Sequence, residues 1–213
     1  PFGSDGSVNL GEARRLAAHL VDVQNHDALV INGTTGEAPT TTDAEKRELL
    51  EAVVDEVGDR AQVIAGVGTF STAHTLELAR QATDAGAHGL LVVTPYYSRP
   101  PQDALADHFL TVAEAVTLPI MIYDIPHRAG VPVETATMVQ LAAHPRIVAV
   151  KDAKGQPVAS SQVIAQTGLA YYSGDDAITL PLLAVGGVGL VGTSTHFTGT
   201  RAKAMIDSFL AGD

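Results

Sequence analysis

The chain contains no cysteine, which excludes a disulfide framework and thiolate chemistry. Positive charge is scarce: 13 lysines and arginines stand against 24 aspartates and glutamates, for a net charge of −11 at pH 7. With no basic cluster, that balance argues against nucleic acid and against an anionic membrane surface as partners. It leaves a small anionic substrate open, because a binding site can be locally positive. Long apolar runs are missing too, since the longest, Leu182 to Gly192, is too short and too rich in glycine to span a bilayer. The chain opens on Pro1 with no signal peptide, and its one sequon, Asn32-Gly33-Thr34, has no secretory context. A cytoplasmic protein is expected. The eight histidines show no metal-ligand spacing such as H-x-x-x-H, so no metal is expected. No proline- or serine-rich linker and no block of charge divides the sequence, which predicts a single domain over 1–213.

What is present is an ordered, apolar composition: 46% hydrophobic and 17% charged residues, with 20 glycines and 11 prolines. Asn9-Leu10-Gly11-Glu12 offers a helix cap, and Leu16, Leu20 and Val23 with Ala13 and Ala17 form the stripe that follows. Ala28–Ile31 reads as a short buried strand. Thr42-Asp43-Ala44-Glu45 caps a second helix that Gly58 stops. The pattern then repeats. Further strands are predicted at Val63–Val67, Gly89–Val93, Ile120–Tyr123, Ile147–Lys151, Leu169–Ser173 and Val188–Gly192. Helices are predicted near Thr72–Ala85, Gln102–Ala115, Val133–Ala143, Val158–Gln166, Asp176–Ala184 and Gly199–Leu210. About seven strands and eight helices in alternation read as a parallel sheet built from βα units. A doubly wound sheet fits the alternation, and an eight-fold (β/α) barrel missing its first strand fits the count better.

In such a barrel the chemistry lies at the carboxyl ends of the strands, and the unusual residues gather there. Gly33-Thr34-Thr35-Gly36 can hold a carboxylate through backbone N–H groups and hydroxyls, or be an ordinary βα turn. Tyr96 and Tyr97, in a proline-stiffened loop, suit packing or an interface. Tyr123 can relay protons or be a buried phenol, and Arg128 can fork onto a carboxylate or simply face water. Ser173-Gly174-Asp175-Asp176 reads as a turn and helix cap. Gly187-Val188-Gly189-Leu190-Val191-Gly192 matches G-x-G-x-x-G formally. Here it is itself the strand, so its glycines are read as letting the backbone pass close to a ligand or a neighbouring strand. Ile147-Val148-Ala149-Val150-Lys151-Asp152 reads as a strand buried on both faces and ending in an amine. Lys151 either snorkels to water or pairs with Asp152, or it is a desolvated amine able to form a Schiff base.

Taken in order, Gly33-Thr34-Thr35-Gly36-Glu37, Thr94-Pro95-Tyr96-Tyr97, Tyr123-Asp124-Ile125-Pro126 with Arg128, Val150-Lys151-Asp152-Ala153 and Ser173-Gly174-Asp175-Asp176 resemble the dihydrodipicolinate synthase family. That family lies within the class I pyruvate-dependent aldolase superfamily, and the resemblance runs from Pro1 to about Phe197. It implies a TIM barrel that condenses pyruvate with aspartate semialdehyde in lysine and diaminopimelate synthesis, with no cofactor, as a homodimer or homotetramer. It implies that Lys151 forms the Schiff base, that Tyr123, Thr34 and Tyr97 relay protons, and that Tyr97 reaches into a partner's site. Thr35 and the Val191 backbone would hold the pyruvate carboxylate, Arg128 the carboxylate of the second substrate, and Gly174 would line the pocket.

The chain departs from the family pattern in places. Asp124 stands where asparagine is usual, Ser98 where asparagine is frequent, and Gly192-Thr193-Ser194-Thr195-His196 differs from the usual ending. Pro1-Phe2 matches the tail of the family's first strand, and Asp213 precedes its C-terminal helical extension. The expected fold is therefore a (β/α)8 barrel lacking that strand and that extension, with exposed sheet edges and reduced stability. The alternatives are another pyruvate aldolase, of the N-acetylneuraminate lyase or keto-deoxy-sugar type, and a non-catalytic barrel fragment. A phosphate-binding barrel comes last.

Overall fold

Two capping side chains start the chain on its course. In the computed structural model, which describes residues 1–212, the Asn9 side chain accepts from Glu12 N–H and opens α1 (Leu10–Asp22). Thr42 and Glu45 form a reciprocal capping box at the head of α2 (Asp43–Val57), satisfying two N–H groups that the helix itself cannot. Between them lies β1 (Ala28–Ile31), within the predicted bounds. The predicted domain end at Asp213 lies outside the described residues.

The strands that follow are β2 (Gln62–Gly66), β3 (Gly89–Val93), β4 (Ile120–Asp124), β5 (Ile147–Asp152), β6 (Ala170–Ser173) and β7 (Gly189–Leu190). All pair in parallel, in the order β1 to β7. Helices α3 (Thr72–Asp84), α4 (Gln102–Ala115), α5 (Pro126–Ala129), α6 (Thr135–Leu141), α7 (Pro157–Ile164), α8 (Thr179–Leu183) and α9 (Thr195–Ala211) supply the connections and the end of the chain. Among the described residues that makes nine α-helices against eight expected; the extra one is the single turn α5. The main core lies between strands and helices, where Val53, Leu90, Phe109, Ile122, Leu141 and Val150 are buried. A smaller cluster of Leu91, Tyr123, Ile125 and Ala153 fills the inner face of the sheet.

Four expectations need correction. The predicted strand Val188–Gly192 is only two residues long, although Val188 N–H and Val191 N–H still donate to Tyr171 and Ser173. Its glycine has a packing reason, since a Cβ on Gly189 would lie 2.8 Å from the Tyr172 ring. The last helix begins at Thr195 rather than Gly199, and the predicted helix over Asp176–Ala184 is a 3-10 turn followed by α8. Phe2, expected as the tail of the first strand, pairs with Val8 in an isolated antiparallel bridge and, among the described residues, joins no barrel strand.

Among the described residues β1 and β7 are not paired with each other. Residues of α9 and its approach span that opening. His26 Nε2 lies 3.1 Å from Thr195 O, Gly199 N–H donates to the Gln24 side chain at 2.9 Å, and Lys203 Nζ meets Asp27 at 2.9 Å.

One irregularity decides what faces what. Ile120 pairs with Ile147, but Met121 pairs with Ala149, so Val148 is the extra residue of a bulge. It is 44% exposed, against the expectation of a strand buried on both faces. An unbroken register would set Tyr123 beside Val150. With the bulge, Tyr123 pairs with Lys151 and Asp124 with Asp152.

Candidate active site

Paired residues of neighbouring parallel strands share a face. Tyr123, Lys151 and Tyr172 therefore form a row across β4, β5 and β6 near the carboxyl edge of the sheet. The Lys151 amine stands 4.2 Å above the centre of the Tyr123 ring, close enough for the ring face to attract a cation. Burial disfavours the ammonium form and lowers the Lys151 pKa to about 8, with the charge of Asp176 acting in the opposite sense. At pH 7 about a tenth of such amines are neutral, against roughly three in ten thousand for a free lysine.

Burial also raises the Tyr123 pKa, while a side-chain interaction with Thr34 and the Arg128 charge pull it down. Thr34 is half-buried in the segment after β1, and Arg128, on α5, is exposed. Gly174 supports the lysine directly. A Cβ there would lie 3.1 Å from Lys151 Cγ and 3.2 Å from Cε, so the stem of Lys151 runs over the glycine. Lys151, Tyr123 and Gly174 are thus in contact, while Thr34 and Arg128 act on the Tyr123 phenol electrostatically.

The other predicted residues lie further out. Thr35 Oγ1 contacts Thr193 Oγ1 at 3.3 Å, at the opening between β1 and β7. Val191 N–H is already given to Ser173 O at 2.8 Å. It is therefore not a free donor for a carboxylate. Tyr97 stands apart: it has a positive φ of 77° and is 94% exposed. Beside it the Tyr96 ring packs edge-on against exposed Phe70, with centroids 5.6 Å apart.

Asp175 caps the 3-10 turn as expected, by accepting from Ala177 N–H. Asp176, grouped with it as a cap, instead accepts from the Ser194 hydroxyl at 2.8 Å and faces the lysine electrostatically. The suggested pairing of Lys151 with Asp152 does not form, because Asp152 points to the opposite face and accepts from the Ser160 hydroxyl. Sequence reasoning also passed over Lys154. Its amine lies 3.1 Å from Asp124 in a fully buried pair, and the aspartate at an asparagine position was the available signal.

These features place the chain in the class of α/β-barrel proteins whose site sits at the carboxyl ends of the strands. The dihydrodipicolinate synthetase family profile matches residues 1–213. A 4-hydroxy-tetrahydrodipicolinate synthase of Acidothermus cellulolyticus is 64% identical over 213 residues, covering 100% of this chain and 69% of that relative. One from Cutibacterium acnes is 62% identical over 212 residues, covering 100% and 72%. The crystal structure of the chloride-inhibited dihydrodipicolinate synthase of Acinetobacter baumannii, complexed with pyruvate, superposes with a TM-score of 0.96 at 34% identity. That match covers 100% of this chain and 74% of the other. The chain belongs to the dihydrodipicolinate synthetase family. It has the family's TIM-barrel-like fold, and its relatives are lyases of lysine and diaminopimelate synthesis.

Proposed function

We propose that the protein acts as a 4-hydroxy-tetrahydrodipicolinate synthase, joining pyruvate to aspartate semialdehyde through a Schiff base on Lys151. The observation that carries the chemistry is the desolvated Lys151 amine on the same row as a buried phenol. Its neutral form attacks the pyruvate carbonyl carbon, and loss of water leaves an iminium. The iminium is an electron sink, so the methyl carbon gives up a proton and becomes the nucleophilic carbon of an enamine. That carbon adds to the aldehyde, whose oxygen takes up a proton. The amino group of the second substrate then attacks the iminium, closes the ring and frees the lysine.

Tyr123, whose phenol Thr34 influences, is suited to pass these protons without leaving a permanent charge beside the iminium. Tyr97 joins the relay from a partner subunit. The support for that assignment is an exposed tyrosine held in left-handed backbone beside an aromatic edge of Tyr96 and Phe70. The reading thus includes a homodimer or homotetramer, working in the cytoplasm. Thr35 holds the pyruvate carboxylate, and Gly174 leaves room for the lysine stem. Arg128 receives the carboxylate of the second substrate by a charge-assisted contact.

The test compares turnover of pyruvate with aspartate semialdehyde against cleavage of sialic acid and of 2-keto-3-deoxygluconate. Preference for the semialdehyde is expected. Preference for either sugar acid would assign the site to another pyruvate aldolase. Inertness toward all three in a folded sample would leave a binding module.

A further inference from the structure

Two carboxylates lie side by side behind the Tyr123–Lys151 row. Asp124 and Asp152 are register partners at the ends of β4 and β5, on the opposite face of the sheet. Asp152 is satisfied close to home, accepting from Lys154 N–H at 2.9 Å and from the Ser160 hydroxyl. Asp124 is fully buried. One of its oxygens lies 3.1 Å from the Lys154 amine, itself only 4% exposed, and the other accepts Val133 N–H at 3.2 Å.

A buried pair of this kind is weak as a source of stability, because taking both charges out of water opposes their attraction. Its position suggests another use. The segment 125–132 leaves β4 at Asp124 and carries α5 and Arg128. It ends at Val133, where the Asp124 carboxylate catches it again. Asp124 therefore grips both ends of the Arg128 segment. The segment after β5 is tied to the same residue, through Ala153 N–H to Asp124 O at 2.9 Å and through the Lys154 amine. From outside, the Gln102 side chain donates to Pro132 O and accepts from Glu134 N–H, which closes the far end of the loop.

We propose that the buried Asp124–Lys154 ion pair is a positioning device that clasps the Arg128 segment to the segment following Lys151, and so sets the distance between the guanidinium and the reacting amine. The proposal rests on the reading that Arg128 binds the carboxylate of the second substrate. Neither residue touches that substrate; both act through Arg128. An error of about an ångström in such a clamp costs up to roughly a hundredfold in efficiency.

The titratable groups facing Asp124 are Lys154, Asp152 and the Tyr171 phenol, whose hydroxyl has no hydrogen-bond partner among the described residues. Burial, and then the Asp152 charge, push Asp124 up, while Lys154 and Val133 N–H pull it down. The balance leaves it at about 6. The clasp therefore loosens as pH falls through about 6.

The experiment measures KM for each substrate in wild type, Asp124→Asn and Lys154→Met between pH 5.5 and 8, with pyruvate capture by borohydride as a parallel readout. The asparagine keeps the size of the side chain and its acceptor for Val133, but it cannot pair with a cation. In both variants KM for aspartate semialdehyde should rise roughly tenfold, with kcat and KM for pyruvate changed less than about twofold. In wild type that KM should climb below about pH 6, and in Asp124→Asn the climb should be absent. An unchanged semialdehyde KM, or an equal rise in both KM values, would overturn the proposal. So would loss of pyruvate capture in the variants, since the pair would then be holding up the barrel. Failure of wild type to capture pyruvate would instead strike the reading on which the proposal rests.

Discussion

Replacing Lys151 by methionine should make the protein more stable while ending its capture of pyruvate. The folded pKa is lowered from 10.5 to about 8, chiefly by burial. A lowered lysine pKa means that the folded state disfavours the charged form, so the ammonium costs stability. Each pKa unit is 1.36 kcal/mol, which makes the cost about 3 kcal/mol below pH 8. Methionine fills a similar space without charge, and in a domain of this size about 3 kcal/mol corresponds to roughly 6–12 °C in melting temperature. The sign of the pH dependence is fixed as well. The penalty is fully present below the folded pKa of about 8 and is relieved as pH rises toward the unfolded value of 10.5. Thermal melts of wild type and Lys151→Met followed by circular dichroism should therefore differ most at pH 7 and converge toward pH 10. A variant less stable than wild type at pH 7, or a gap that does not change with pH, would refute the desolvated-amine argument.

Gly174→Ala would bring a methyl group to 3.0 Å from Ala153 Cβ and 3.1 Å from Lys151 Cγ. It should cost about 1–3 kcal/mol by denaturant titration and slow pyruvate capture by displacing the lysine stem. Gly66→Ala would place a Cβ 2.2 Å from the Asn32 carbonyl oxygen, against backbone that cannot yield cheaply. Thermal melting should show a loss at the top of that about 1–3 kcal/mol range, with Thr34 displaced and activity reduced. Tyr97→Phe and Lys151→Met proteins should each be inactive alone and regain activity when mixed and allowed to exchange subunits. A site with its own Lys151 and a partner's Tyr97 would then form, and no recovery in exchanged mixtures would contradict the cross-subunit assignment.

Most strands were readable because they are short, largely apolar runs, as strands of a parallel sheet covered by helices tend to be. Ala28–Ile31 and Gly89–Val93 fall within the predicted bounds for that reason. Thr42 and Glu45 announced α2 because the capping box is a local interaction, complete within four residues. What sequence reasoning missed depends on pairs distant along the chain. The Val148 bulge, which sets Tyr123 beside Lys151, is a matter of register between β4 and β5 and leaves no local trace. Pro126–Ala129 is a single turn, too short for a 3.6-residue period to show. The resemblance assigns the Val191 backbone to the pyruvate carboxylate, but its N–H is committed to Ser173 by a ladder between distant strands. Asp124 and Lys154 were each visible as residues, but their meeting is a tertiary event.

The central claim is that Lys151 is the amine that captures pyruvate. Incubation with pyruvate and borohydride, followed by peptide mass mapping, measures this directly. The account predicts one reduced pyruvyl adduct, on the peptide carrying Lys151, forming faster as pH rises toward about 8 as the neutral amine accumulates. An adduct on Lys154 or another lysine, or a folded protein that takes up no adduct, would contradict it.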